Sequence, residues 1–295
     1  MSSSLQPGVH KTALGFQNNS AQTYVKGRPS LPLETIDFIK NKFNLKENNI
    51  IVDLASVLKL QQKGTGKFTE LLFGYGGFNN ITCVEPSADF RDACSQILQS
   101  IIDNTEDQDT REKKQFKVLD GTAISIPLAD NSVDALFASQ AFHWFANDDA
   151  IKEMVRVLKP GAPLILVWCE ADLSNPMVKA TTDIYRVKYA NLDDPNPQFR
   201  SYEWIKVFEQ PSEQTKSLIN LPLGSDKTFK MNHHLTRDTL LARIYSISFI
   251  SLLSDDRKQE LKKDILNVID TLKDYKDKES FDCPYRVEIY FTTKK

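Results

Sequence analysis

IIVDLASVLKLQQKGTGKFTELL, residues 50–72, joins an apolar run that ends in an acid to a glycine turn that opens a helix. Ile50, Ile51, Val52 and Asp53 suit a buried parallel strand whose carboxylate emerges at its C-terminal edge. Gly64-Thr65-Gly66 is followed by Phe68, Leu71, Leu72 and Tyr75 at helical spacing, so the helix begins there. Both halves of a nucleotide-type cofactor loop are therefore present. Between them stand Ser56, Val57, Leu58, Lys59, Leu60, Gln61, Gln62 and Lys63, for which a compact strand-turn-helix unit has no obvious place.

Working outward, residues 30–174 alternate helical and strand patterns in the way that predicts an open, doubly wound parallel α/β sheet. Leu33, Ile36, Ile39 and Phe43 share one face of a helix over 30–43. Strand 50–54, helix 67–73 and strand 80–85 follow. Phe90, Cys94, Ile97 and Ile101 then align on helix 88–102, a charged loop covers 103–114, and strands are expected at 115–119 and 132–139. Helix 148–158 ends at Lys159-Pro160-Gly161, where proline stops the helix and glycine supplies a left-handed cap, and strand 162–169 begins at once.

Beyond Glu170 the rhythm changes. Residues 172–208 read as one or two aromatic-rich helices interrupted by Asp194-Pro195-Asn196-Pro197, which makes them a candidate cap. Short strands are expected at 216–221 and 227–231, helix over 233–276, and a final strand at 284–293, where Tyr285, Val287, Ile289 and Phe291 alternate. The organisation expected is an N-terminal segment (1–29) folding over the site and a Rossmann-like cofactor-binding domain (30–171). Cap helices with a sixth strand (172–283) and a strand rejoining the sheet (284–295) complete it.

The 295 residues are 41% hydrophobic and 26% charged, an ordinary globular composition. A formal net charge of -2 offers no global attraction to nucleic acid or anionic lipid. No run of about 18 apolar residues exists to span a membrane, and MSSSLQPGVHK lacks the basic and apolar regions of a secretory signal. Cys83, Cys94, Cys169 and Cys283 show no paired spacing and read as reduced thiols. A soluble cytoplasmic protein without a metal site is expected, its oligomeric state left open.

Ligands of open α/β sheets sit beyond the C-terminal strand edges, and there the chain offers Asp53, Glu85, Asp120 and Gln140. Glu85, closing TCVEP, can accept two hydrogen bonds from a ribose diol. Asp120-Gly121-Thr122-Ala123 can offer a carboxylate or a backbone amide to an adenine. Taken singly, a strand-end acid is as often a helix cap or a solvated turn.

Taken together, these signals resemble the class I S-adenosylmethionine-dependent methyltransferases, in particular the small-molecule type 11 branch. The resemblance rests on YVKGRPSLP (24–32), on VDLAS and GTGKFTELL, on VEPS (84–87), on DGTAISIPLADNSVDALFASQAFHWF (120–145) and on EMVRVLKPGAPLILVW (153–168). The block through AFHWF is the most specific and most resembles the trans-aconitate methyltransferase subgroup. The resemblance implies a seven-stranded sheet with a helical cap, S-adenosylmethionine as cofactor, and methyl transfer to a small-molecule acceptor, often a carboxylate. It assigns Asp53, Ala55, Gly64, Thr65 and Gly66 to the loop around the methionine part, Glu85 to the ribose, and Asp120, Gly121, Thr122 and Ala123 to the adenine. Gln140 and Ala141 form the wall under the sulfonium, and Tyr24 and Arg28 fold over the site.

His143 and Trp144 stand where the acceptor should approach. His143 can act as a base for a hydroxyl or thiol, or as a hydrogen-bond donor that orients a carboxylate; a satisfied structural histidine is the alternative. Trp144 can present an aromatic wall or simply fill the core. His10, His233 and His234 lack companion ligands, so no metal site is read.

In the family the Asp-Leu-Ala-small stretch runs directly into Gly-Thr-Gly, whereas residues 57–63 intervene here. For the fold this matters little, since a doubled loop costs only ~0.6 kcal/mol. For binding it could matter more, because a shift of about 1 Å can weaken function on the order of a hundredfold. The extra residues bulge outward, or collapse into the pocket, or mark an altered transcript or gene reading; the first is preferred. Two rival functions follow: a catalytically impaired protein of the same fold acting as a binding or regulatory partner, and a nicotinamide-dependent reductase. The second lacks a third glycine after Gly64-Thr65-Gly66.

Overall fold

The computed structural model describes residues 31–54, 67–190 and 199–295. Five parallel strands form the body of the sheet: β1 (Ile50–Leu54), β2 (Asn80–Val84), β3 (Gln115–Leu119), β4 (Ala135–Ser139) and β5 (Pro163–Ala171). Their order, β3-β2-β1-β4-β5, reverses between β1 and β4, the switch point where such sheets open a crevice. The central strands β1, β4 and β5 are buried almost throughout, which explains their unbroken apolar runs.

The final strand, β8 (Ser280–Thr293), returns antiparallel to β5 from Tyr285 opposite Ala171 to Thr293 opposite Pro163. Its outer edge carries two strands end to end. β6 (Gly224–Asp226) pairs with Ile289 to Phe291, and β7 (Lys230–Thr236) pairs with Ser280 to Arg286. Among the described residues the sheet thus holds eight strands where seven were expected, two of them sharing one position.

Alternation along the strands makes two cores. Ile51, Phe137, Ile165 and Val287 face α1 (Leu33–Lys42), α2 (Lys67–Phe73) and α3 (Ala88–Asp103), meeting Ile36, Leu72, Phe73 and Leu98. Val52, Leu136, Leu166 and Trp168 face the opposite way, toward Met154 and Val155 of the Asp148–Val157 helix and toward Phe142 and Trp204. Each such side chain contributes roughly 1.5–3 kcal/mol on burial. A third cluster forms the cap: Met177 and Val178 of the Pro176–Lys188 helix, Leu240 and Ile244 of the Arg237–Tyr245 helix, and Leu261 and Ile265 of the Asp255–Thr271 helix pack over Phe281, Cys283 and Tyr285.

Four local expectations change. The charged loop 103–114 contains a helix, Gln108–Lys113, because Asp107 caps it by accepting from the Thr110 amide at 2.7 Å. Residues 216–221 are not a strand: Ser212 caps helix Glu213–Leu218. Helix does not start at 233, since Met231, His233 and Leu235 alternate along β7 and the chain turns helical only at the Thr236–Thr239 capping box. Gly161 is not a helix cap. The Asp148–Val157 helix has already ended, and Ala162 N donates to Lys159 O at 3.0 Å across a turn with Pro160 second and Gly161 third, at φ +77°.

Candidate active site

Four of the chemistry-bearing residues stand on adjacent strand tips. Asp53 lies opposite Cys83 on β2 and Phe137 on β4; Leu54, Val84 and Leu119 are in register, and the Glu85 amide donates to Leu119 O at 3.1 Å. Gln140 follows β4 directly. The parallel register therefore brings Asp53, Glu85, Asp120 and Gln140 to one edge across the switch point.

Asp53 is fully buried, and its Oδ2 accepts from Thr69 Oγ1 of α2 at 2.5 Å. Among the described residues Oδ1 has no partner. Burial pushes its carboxyl up to about 7, against the opposing pull of the Thr69 bond. Such a group gains from a cation or donor brought to its vacant side.

Glu85 is buried at the tip of β2, its Oε1 accepting from the Ser87 amide at 3.1 Å. Arg91, in the first turn of α3, reaches back and donates to the carbonyls of Glu85 (3.0 Å) and Pro86 (2.9 Å), and pairs with Asp120 at 3.2 Å. One guanidinium thus ties the β2 tip to the β3 tip. Arg91 was not anticipated, though a cation in a helix's first turn, where the dipole disfavours it, was a usable signal.

After Asp120 the chain closes a tight turn in which Thr122 and Ser125 exchange backbone bonds of 3.0 and 3.1 Å. Ala123 is buried, and Thr122 Oγ1 is buried without a partner among the described residues. Gly121 is required there for space, because a Cβ would stand 2.8 Å from Pro127 Cδ and from Val84 Cγ1 and 2.9 Å from Ser125 O. Gly121→Ala is expected to destabilise the protein by roughly 1–3 kcal/mol. Urea unfolding measures it, and a midpoint equal to wild type would contradict this packing.

Gln140 adopts φ +58°, a left-handed conformation unusual for a long side chain. Its amide nitrogen donates to Cys169 O at 2.9 Å and its backbone N to Val167 O at 2.7 Å, so β5 holds the conformation in place. Ala141 beside it is fully buried. His143 lies on the Phe142–Trp144 turn, buried, with Nδ1 accepting from Trp168 Nε1 at 3.1 Å. An accepting Nδ1 leaves the ring proton of the neutral imidazole on Nε2. Trp144 packs 5.3 Å from the His143 ring. Trp168, not anticipated as a site residue, sets this tautomer while stacking on Phe199 and Trp204 at 4.6 and 4.5 Å.

Tyr24, Arg28, Ala55, Gly64, Thr65 and Gly66, and residues 57–63 with them, lie outside the described residues. Among the described residues no group of three or more His, Cys, Asp or Glu side chains is placed to hold a metal. Their four cysteines are free thiols, and no helix among them is long and apolar enough to cross a membrane.

Comparison with known proteins agrees with this fold. Residues 62–166 match the family described as "Methyltransferase domain", a span that takes in Glu85, Asp120, Gln140 and His143 and begins after Asp53. An uncharacterized methyltransferase-like protein of Schizosaccharomyces pombe is 27% identical over 274 residues, 92% of either chain. An uncharacterized methyltransferase of Mycobacterium tuberculosis is 36% identical over 149 residues, 50% of either chain. Among solved structures, a candidate type II methyltransferase of Anaeromyxobacter dehalogenans has a TM-score of 0.53 at 17% identity, over 90% of this chain and 96% of that one. A candidate methyltransferase of Bacillus halodurans has a TM-score of 0.50 at 16% identity, over 88% and 97%. The architecture is the Rossmann-like methyltransferase fold.

Proposed function

We propose that this chain transfers a methyl group from S-adenosylmethionine to a small-molecule acceptor, in the manner of the type 11 branch. The observation that carries the reading is the row of Asp53, Glu85, Asp120 and Gln140 on four adjacent strand tips around the switch point. The vacant buried oxygen of Asp53 fits the cofactor's ammonium, and the buried carboxylate of Glu85 fits its ribose diol. Asp120 to Ala123 would hold the adenine, Gln140 and Ala141 would line the sulfur, and Ala55 with Gly64, Thr65 and Gly66 would present backbone amides. Tyr24 and Arg28 would cover the edge.

When bound, the cofactor supplies an electrophilic methyl on a sulfonium, so the protein's work is alignment, which can lower a barrier by ~7–11 kcal/mol. His143 orients the acceptor as an Nε2–H donor, since Trp168 occupies Nδ1. Trp144 offers an aromatic face worth ~0.5–2 kcal/mol to a cationic methyl. A carboxylate acceptor, as in the trans-aconitate subgroup, is ionised at neutral pH and needs no base. The setting proposed is cytoplasmic, without nucleic acid.

Calorimetry with S-adenosylhomocysteine and labelled-methyl transfer to a panel of small acids test the reading. Saturable heat and an acid-soluble, base-labile product are expected; no heat at millimolar ligand would overturn it. His143→Gln separates donor from base, because the amide keeps a donor near Nε2 and cannot take a proton. The expected turnover lies within about tenfold of wild type, whereas loss of a general base would reach on the order of 10²–10⁴-fold.

A further inference from the structure

Arg243, on the Arg237–Tyr245 helix of the cap, is a part-buried charge on which Glu170 acts only at a distance. Its Nε donates to Tyr285 Oη at 3.2 Å, and one terminal nitrogen reaches Ser246 Oγ at 3.5 Å. That hydroxyl is already committed, donating to the Arg243 carbonyl at 2.6 Å. Among the described residues no carboxylate stands within ion-pair distance of the guanidinium, and the nearby Glu170 is taken by Arg200 at 3.0 Å. Burial pushes the Tyr285 phenol up to about 12 and the Cys283 thiol up to about 11, so neither supplies a counter-charge at physiological pH. A guanidinium never gives up its proton under these conditions, and its fork keeps donors that Tyr285 and Ser246 do not use.

A second observation converges on the same place. The His233 ring stands edge-on to Tyr285 at 6.1 Å, and its buried Nδ1 has no partner among the described residues. Burial, followed by the proximity of Lys67, Arg243 and His234, holds this imidazole below its ordinary range. Lys67, one of these cations, stands at the start of α2, directly after Gly64-Thr65-Gly66 in the sequence.

Position in the fold connects the cluster to the site. Tyr285 is in register with Ala171, the last residue of β5, and two residues earlier Cys169 O accepts from Gln140. Arg243 is thus hung on the strand tip next to Gln140, on the cap side.

We propose that Arg243 is a specificity-determining residue, holding an oxyanion group of the acceptor between the cap and the strand tips, with Tyr285 and His233 beside it. The proposal rests on the methyl-transfer reading above. The anchored group is separate from the atom that receives the methyl. Arginine's planar fork matches a carboxylate or a phosphate with two parallel bonds, and Tyr285 would remain the third contact.

The full chain is titrated with succinate, citrate, inorganic phosphate and, as a neutral control, glycerol, with and without S-adenosylhomocysteine, by thermal shift and calorimetry. Wild type is expected to bind at least one of the anions and not glycerol. Arg243→Gln is expected to weaken that binding at least tenfold and Arg243→Lys several-fold, with S-adenosylhomocysteine affinity unchanged within twofold. Preference for phosphate over the acids would name the source of the oxyanion. Unaltered anion affinity in both variants overturns the proposal, as does stabilisation of wild type by chloride at equal ionic strength to the same extent. If Arg243→Gln does not fold, Arg243→Lys decides alone, and unchanged affinity there overturns it. Failure of wild type to bind S-adenosylhomocysteine counts against the methyl-transfer reading; the anion measurements made without it still test Arg243.

Discussion

Asp53→Asn is expected to make the protein more stable at pH 8 and to weaken its binding of S-adenosylhomocysteine about 10- to 100-fold. Burial raises the carboxyl from the ordinary 3.8 to about 7, so the folded chain holds its proton more tightly than the unfolded chain. Below pH 3.8 both states are protonated and no penalty exists. As pH climbs through the window from 3.8 to about 7 the unfolded carboxyl ionises first, and folding becomes progressively less favourable. Above about 7 the penalty is complete, ~4 kcal/mol at ~1.4 kcal/mol per tenfold change in proton affinity. Asparagine mimics the neutral form and escapes it at every pH.

The gain in stability is therefore pH-dependent. It should reach several degrees in melting temperature at pH 8 and shrink to a small fraction at pH 4.5. Binding moves the other way, since a charge-assisted hydrogen bond from the ligand ammonium to Asp53 Oδ1 is worth ~1.5–3 kcal/mol. Melting curves at the two pH values and calorimetry with S-adenosylhomocysteine check the pair. A melting advantage that is the same at both pH values would refute the buried-carboxylate account, and undiminished affinity would remove Asp53 from the site. Such a conflict between stability and binding is expected where a site carries a desolvated charge for its ligand.

Residues 50–52 and 164–168 were legible because a strand buried between two layers must be apolar without interruption, and no helix of that length competes. Residues 213–218 were not, since six residues capped by Ser212 carry too short a pattern to separate helix from strand. β7 was masked for a different reason: His233 and His234 begin a stretch whose later residues are helical, while its own alternation covers only Met231, His233 and Leu235. In the candidate site, the strand-tip residues could be read because each stands at the end of its own strand and parallel register places such ends side by side. The contacts of Trp168 and Arg243 could not, because they are made with partners 25 and 42 residues away, His143 and Tyr285, and no local pattern encodes which side chains meet across a cap.

Glu85 should give the largest loss of binding. Its buried carboxylate is fixed at the β2 tip by the Ser87 amide at 3.1 Å and by the Arg91 clamp on its backbone carbonyl, so it is set in place before a ligand arrives. A ribose diol would donate two bonds to one carboxyl group, and together they exceed the single bond that Asp53 provides. Glu85→Ala is expected to weaken S-adenosylhomocysteine binding by about a hundredfold or more. Glu85→Asp should also be impaired, because withdrawing the carboxylate by one methylene breaks the two-point contact. The two acids are further separable by ligand fragment. Adenosine carries the diol without the ammonium, so its affinity should fall in Glu85→Ala and stay within twofold of wild type in Asp53→Asn. Calorimetric titration of both variants with adenosine and with S-adenosylhomocysteine reads this directly. Equal loss of adenosine binding in the two would mean that the acids act through the shape of the edge rather than through separate halves of the cofactor. Unaltered adenosine binding in Glu85→Ala would take the ribose away from β2 altogether.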